Sequence, residues 1–146
     1  MKRRMIDITV NTTANPESVF DLVATGSTWP QWTSMDSVEI ERPPEGVGAI
    51  RVNRRGRVVG RDEIIEMERP RRFAYRSLSG VPVRDYVGEI DIQSAPDGAS
   101  IRWRASFFPK VPGMGAILER GIRRFLTECA EGLAARAAET EVEEAL

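Results

Sequence analysis

The order of segments constrains this chain most: a series of strand-like stretches closes on one amphipathic helix. That helix opens near Val111-Pro112-Gly113 and carries Met114, Ile117, Leu118, Ile122, Phe125, Leu126, Cys129 and Leu133. Spacings of three and four put these side chains on one stripe, which must be buried. The only large surface available to bury it is the sheet formed by the preceding segments. A strongly curved sheet holding a single helix tends to leave a hollow between them, and function is expected there.

The 146 residues fit one domain. Met5 to Asn11 alternate, with Ile6, Ile8 and Val10 on one face, which predicts a first strand. Asn15 is placed to cap a helix, Pro16 suits its first position and Glu17 favours its dipole. Val19, Phe20, Leu22 and Val23 form its buried side, and Trp29-Pro30-Gln31-Trp32 reads as a compact turn or second short helix. Six further strands are predicted at 37–42, 48–54, 57–67, 72–79, 84–93 and 99–108. Pro, Gly, Asn and Asp clusters separate them, as in an antiparallel meander. The expected class is α+β: a curved seven-stranded antiparallel sheet around a long C-terminal helix, with two short helices after strand 1. Residues 1–138 form the expected domain, and the Glu-rich stretch 139–146 is expected as a flexible acidic tail. Gly121 lies beside the buried stripe, which implies either close approach of helix to sheet or room for a ligand.

Absences in the sequence exclude whole function classes. There is no histidine, which removes Ser-His-Asp and Cys-His catalysis and His-ligated zinc or iron. No calcium-loop, Walker or dinucleotide-binding pattern occurs, so neither a metal nor a cofactor is expected. Lys plus Arg is 21 against 22 for Asp plus Glu, a net charge of −1 with no bulk attraction to nucleic acid or an anionic membrane. No apolar run approaches the roughly 18 residues of a membrane span. Met1-Lys2-Arg3-Arg4 is not followed by a signal-peptide core, so the expected location is the cytoplasm, as a monomer or homodimer. Cys129, the single cysteine, excludes an internal disulfide and reads as a small core residue.

Strand parity suggests an inner face. Phe73, Tyr75 and Ser77 share a side, as do Tyr86, Gly88, Ile90 and Ile92, and as do Ile101, Trp103, Ala105 and Phe107. Tyr75 and Tyr86 bring hydroxyls to this apolar surface, and each needs a partner, either a ligand or a backbone group. Neither face of 57–67 is purely apolar, which predicts a bulge or an edge position. An inward Asp62 or Glu63 would have a raised pKa and serve as acid or base; outward, it would pair with an arginine. Arg51, Arg54, Arg55, Arg57 and Arg61 read as a basic cluster on an exposed sheet face, with binding of an anionic head group at the cavity mouth as the alternative. Met114, Ile117, Leu118, Ile122 and Phe125 are the expected roof, and Pro112-Gly113-Met114-Gly115 either a gate or a fixed cap.

The stretches Asn15-Pro16-Glu17-Ser18-Val19-Phe20-Asp21-Leu22, Trp29-Pro30-Gln31-Trp32, Glu68-Arg69-Pro70-Arg71-Arg72-Phe73-Ala74-Tyr75 and Asp97-Gly98-Ala99-Ser100-Ile101-Arg102-Trp103 resemble the START-like, helix-grip (SRPBCC) superfamily. Within it the resemblance is to the bacterial polyketide cyclase/dehydrase and lipid-transport group. It implies a large apolar cavity between sheet and long helix, with the Trp32 segment near one mouth. The expected function is binding or transport of a small hydrophobic ligand: a lipid, polyketide or aromatic metabolite. Trp32, Phe73, Tyr75, Tyr86, Ile90, Trp103, Phe107, Met114, Leu118 and Ile122 are the expected ligand-binding residues. A polyketide cyclase or dehydratase using Tyr75, Tyr86, Asp62 or Glu63 is the alternative. A protein-interaction module with a filled cavity is the third reading.

Overall fold

The computed structural model describes residues 2–146. Strand β1 (Arg4–Thr12) leads into helix α1 (Pro16–Ala24) and a short 3-10 segment (Gly26–Gln31). The meander follows as β2 (Ser37–Arg42), β3 (Ile50–Arg55), β4 (Val58–Glu68), β5 (Arg72–Ser79), β6 (Val83–Ala95) and β7 (Gly98–Pro109). Helix α2 (Gly115–Ala145) closes the chain. The seven strands form one antiparallel sheet in the order β1-β7-β6-β5-β4-β3-β2, the helix-grip arrangement.

Local chemistry explains the element starts. The Ser18 amide donates to Asn15 Oδ1 at 2.9 Å, and Pro16 takes the first helical position, where a missing N–H costs nothing. On β7, Ile101, Trp103, Ala105 and Phe107 are buried and their neighbours are not, as the alternation requires. On β4 the parity changes partway. A register shift between Ile64 and Glu66 leaves Ile65 as the extra residue, so Gly60, Asp62 and Ile64 face inward and then Met67 does. This bulge in an interior strand is why neither face of the segment reads as apolar.

Helix α2 lies along β1 and crosses α1 and β7. The Thr12 hydroxyl donates to the Ala134 carbonyl at 2.8 Å and ties helix to strand. Gly132 permits the closest approach, because a Cβ there would collide with the Trp32 carbonyl. Gly121 faces open space instead, which corrects the expectation that it marks close approach of helix to sheet. The acidic stretch 139–146, expected as a flexible tail, continues the helix to Ala145. Arg136 pairs with Glu139 and Glu143, and the Asn15 amide donates to Glu141, so these turns have partners. Cys129 is buried in the core, and burial pushes its thiol up to about 12.

Candidate functional site

The concave face is largely filled with rings. Trp29 and Trp32 stand 4.6 Å apart by ring centroid, and each lies within 6.3 Å of Trp103. The series continues through Phe73, Tyr75, Tyr86 and Phe107 at 6.1–6.2 Å per step. Leu126, Cys129, Ala130 and Leu133 of α2 complete the same core. The polar atoms of these rings have partners inside it. Trp103 Nε1 donates to the Tyr75 hydroxyl at 3.2 Å, and Trp29 Nε1 to the Val23 carbonyl at 2.9 Å. Gly88 sits opposite Tyr75 because a Cβ there would strike the phenol ring.

A cavity of about 20 Å³ remains, under the 3-10 segment and β2 rather than under α2. Its walls are Trp29, Met35, Val38, Ile64 and Phe73, and its polar groups are Arg51, Asn53, Asp62 and Tyr75. A volume of this size holds a water molecule but falls far short of the roughly 300–1,000 Å³ of ordinary ligand sites.

Strand register builds the polar corner. Asn53 pairs with Gly60 and Arg51 with Asp62 across β3 and β4, which puts all three side chains on the inner face. Asn53 Nδ2 donates to Asp62 Oδ2 at 3.0 Å. Asp62 keeps a partly accessible surface while densely enclosed by protein, as suits a carboxyl lining a recess. Burial pushes its pKa up to about 7, against the opposing pull of the Arg51 charge and the Asn53 hydrogen bond. A carboxyl titrating near neutrality can hold or release a proton at working pH. The Tyr75 hydroxyl differs: burial raises its pKa well above the ordinary phenol value, so it stays protonated and retains an O–H to offer a ligand. Burial likewise raises Tyr86.

Arg51 is 4% exposed, which separates it from the exposed basic cluster expected from its sequence neighbours. Its guanidinium donates to the Val23 and Ala24 carbonyls at 3.2 and 2.7 Å, closing the C-terminus of α1. Its ring partners are Trp29 and Phe73 at 5.7 and 5.2 Å, and Glu45 lies 3.3 Å from Nε.

Of the sequence-derived candidates, Phe73, Tyr75 and Asp62 line this cavity. Trp32, Tyr86, Ile90, Trp103 and Phe107 are buried in the surrounding core. Glu63 faces outward, bound to Arg42 at 2.8 Å and Arg76 at 2.5 Å. Met114 is 38% exposed, Leu118 and Ile122 are half-buried, and none of the three lines the cavity. Arg51, Asn53, Met35, Val38 and Ile64 are site residues that the pattern did not single out. Cross-strand parity from an inward Asp62 is the signal that leads to Arg51 and Asn53.

The family model described as polyketide cyclase/dehydrase and lipid transport matches residues 5–138. The chain belongs to that family. Its relatives include an uncharacterized protein of Mycobacterium tuberculosis, 30% identical over 129 residues, covering 81% of this chain and 77% of the relative. Among solved structures, Ara h 8.0201 superposes with a TM-score of 0.79 at 11% identity, over 94% of this chain and 99% of that one. The aromatase/cyclase Zhui from a Streptomyces species gives 0.77 at 16% identity, over 93% and 94%. At such identities these structures establish the fold that the family member shares, the START-like helix grip. No helix among its described residues is long and apolar enough to cross a membrane.

Proposed function

We propose that this family member binds a small, mostly apolar ligand carrying a hydroxyl or carbonyl group. The site is the recess over β3, β4 and β5. The observation that carries the reading is Asp62, a carboxyl lining a ring-walled recess where Asn53 donates to it. A recessed carboxyl that accepts from Asn53 and is only partly offset by the Arg51 charge disfavours the empty folded state, and a ligand hydroxyl would satisfy it. The closed volume of about 20 Å³ requires the wall of Met35 and Val38 to move outward on binding. Both are only half-buried, β2 is an edge strand, and methionine repacks easily. The aromatic series places π-faces beside the recess, which favours a ring-bearing ligand.

A catalytic role rests on the same carboxyl. With a 1,3-dicarbonyl compound, ionised Asp62 would take a proton from the carbon between the carbonyls. That carbon would attack a third, more distant carbonyl of the same molecule. Protonated Asp62 would then return the proton to the new alkoxide, closing a ring with no external oxidant or reductant. Tyr75 would donate a hydrogen bond to the developing charge.

Titration with 2-naphthol and with naphthalene, followed by tryptophan fluorescence, tests the binding reading. Saturable binding is expected for 2-naphthol and weaker binding for naphthalene. Asp62→Ala should weaken 2-naphthol about tenfold and leave naphthalene unchanged. No saturation with either compound, or equal affinity of the variant for 2-naphthol, contradicts the reading.

A further inference from the structure

The antiparallel meander gathers one set of strand ends. The starts of β1, β4 and β6 and the ends of β3, β5 and β7 lie together, beside the first turn of α2. Arg54, Arg57, Arg84, Lys110 and Arg120 are all exposed at this end. Among the described residues, none of these five has a carboxylate oxygen within 4.0 Å. The acids at this end are Asp36, Asp85 and Glu119. Asp36 accepts from the Gly56 amide, and Glu119 is held by Arg4 and Arg123. Glu139, Glu141, Glu143 and Glu144 occupy the far end of α2. A net charge of −1 therefore conceals two poles.

Helix stability does not explain that polarity. Helix α2 has no acidic residue in its first turn and no basic residue in its last, so neither end carries the charge that the helix dipole favours. The same end also exposes apolar side chains. Val111 is 53% exposed, Ile117 62%, Met114 38% and Leu78 41%. Unpaired cations interleaved with exposed apolar groups are the composition of an interfacial membrane contact.

We propose that this end of the molecule docks on an anionic lipid surface, with the cations against headgroups and Val111, Met114 and Ile117 entering the interface. The proposal stands on charge and exposure alone and is independent of ligand binding in the recess. Co-sedimentation with phosphatidylcholine vesicles, with and without phosphatidylglycerol, tests it. Binding is expected only with phosphatidylglycerol, and high salt should weaken it. Lys110→Glu with Arg120→Glu should lower partitioning at least about 25-fold. Val111→Ser with Ile117→Ser should lower it while leaving the charge pole in place. Glu144→Lys, at the opposite end, should not. All five positions are exposed, so thermal melting should confirm unchanged folds. Equal recovery on both vesicle types, full binding by either double variant, or binding to polyglutamate without binding to vesicles overturns the proposal.

Discussion

Asp62→Asn is expected to stabilise the folded protein by as much as about 4 kcal/mol at about pH 8 and by almost nothing at about pH 4. The Asp62 carboxyl has a pKa near 3.8 when solvated and about 7 in the fold. The folded state thus holds this proton more tightly than the unfolded chain. Below 3.8 both states are protonated and there is no penalty. As pH rises from about 4 to about 7, the unfolded chain ionises freely while the folded one resists, so stability falls. Above about 7 the whole penalty is present. Asn cannot ionise, keeps the contact with Asn53 and removes this alkaline slope. Asp7, Glu68 and Asp91 have lowered pKa values, Asp7 and Glu68 chiefly through hydrogen bonds from Arg102 and Arg71, while Asp91 overcomes burial through Arg72 and Arg104. Their contribution is lost as pH falls through the carboxylate range, in wild type and variant alike. Urea midpoints measured across pH should therefore coincide on the acid side and diverge on the alkaline side. Parallel curves would show that Asp62 is solvated and ionised like a surface carboxylate.

The other large effect is expected at Trp103. Trp103→Ala should destabilise the fold by about 3–5 kcal/mol, because the ring is 1% exposed and packs against Trp29 and Trp32. It also removes the donor to the Tyr75 hydroxyl. The space left is apolar and ring-shaped, so indole should raise the melting temperature of the variant and leave wild type unchanged. Trp103→Phe, which retains much of the volume, should cost less. A loss under about 1 kcal/mol, or no response to indole, would indicate that the ring already borders a large void rather than a packed interior.

Much of the architecture was legible because one face of each central strand is buried. Period-two alternation on β7 and β6 fixed the inward sides of Trp103, Phe107, Tyr86 and Ile90, and the rings are indeed buried there. The cap at Asn15 was legible because its chemistry is local. β3 misled for a physical reason. Arg51 reads as one of an exposed run of arginines, yet register with β4 turns it and Asn53 inward. Arg51 is tolerated there because it satisfies the C-terminal carbonyls of α1, a partner far away in sequence. The size of the cavity was not legible either. Periodicity says which way a ring points but not whether opposing rings meet, and here they do. Gly121 and Gly132 are alike in sequence context; only the position of the Trp32 carbonyl distinguishes them.

A carboxyl-labelled NMR titration of Asp62, with and without 2-naphthol, addresses the recessed acid and its ligand together. The Cγ resonance of the free protein should titrate near pH 7 rather than near 3.8. Saturating 2-naphthol should shift that resonance and move its midpoint. A midpoint in the ordinary carboxylate range, with a resonance indifferent to 2-naphthol, would contradict the assignment of this recess as the binding site.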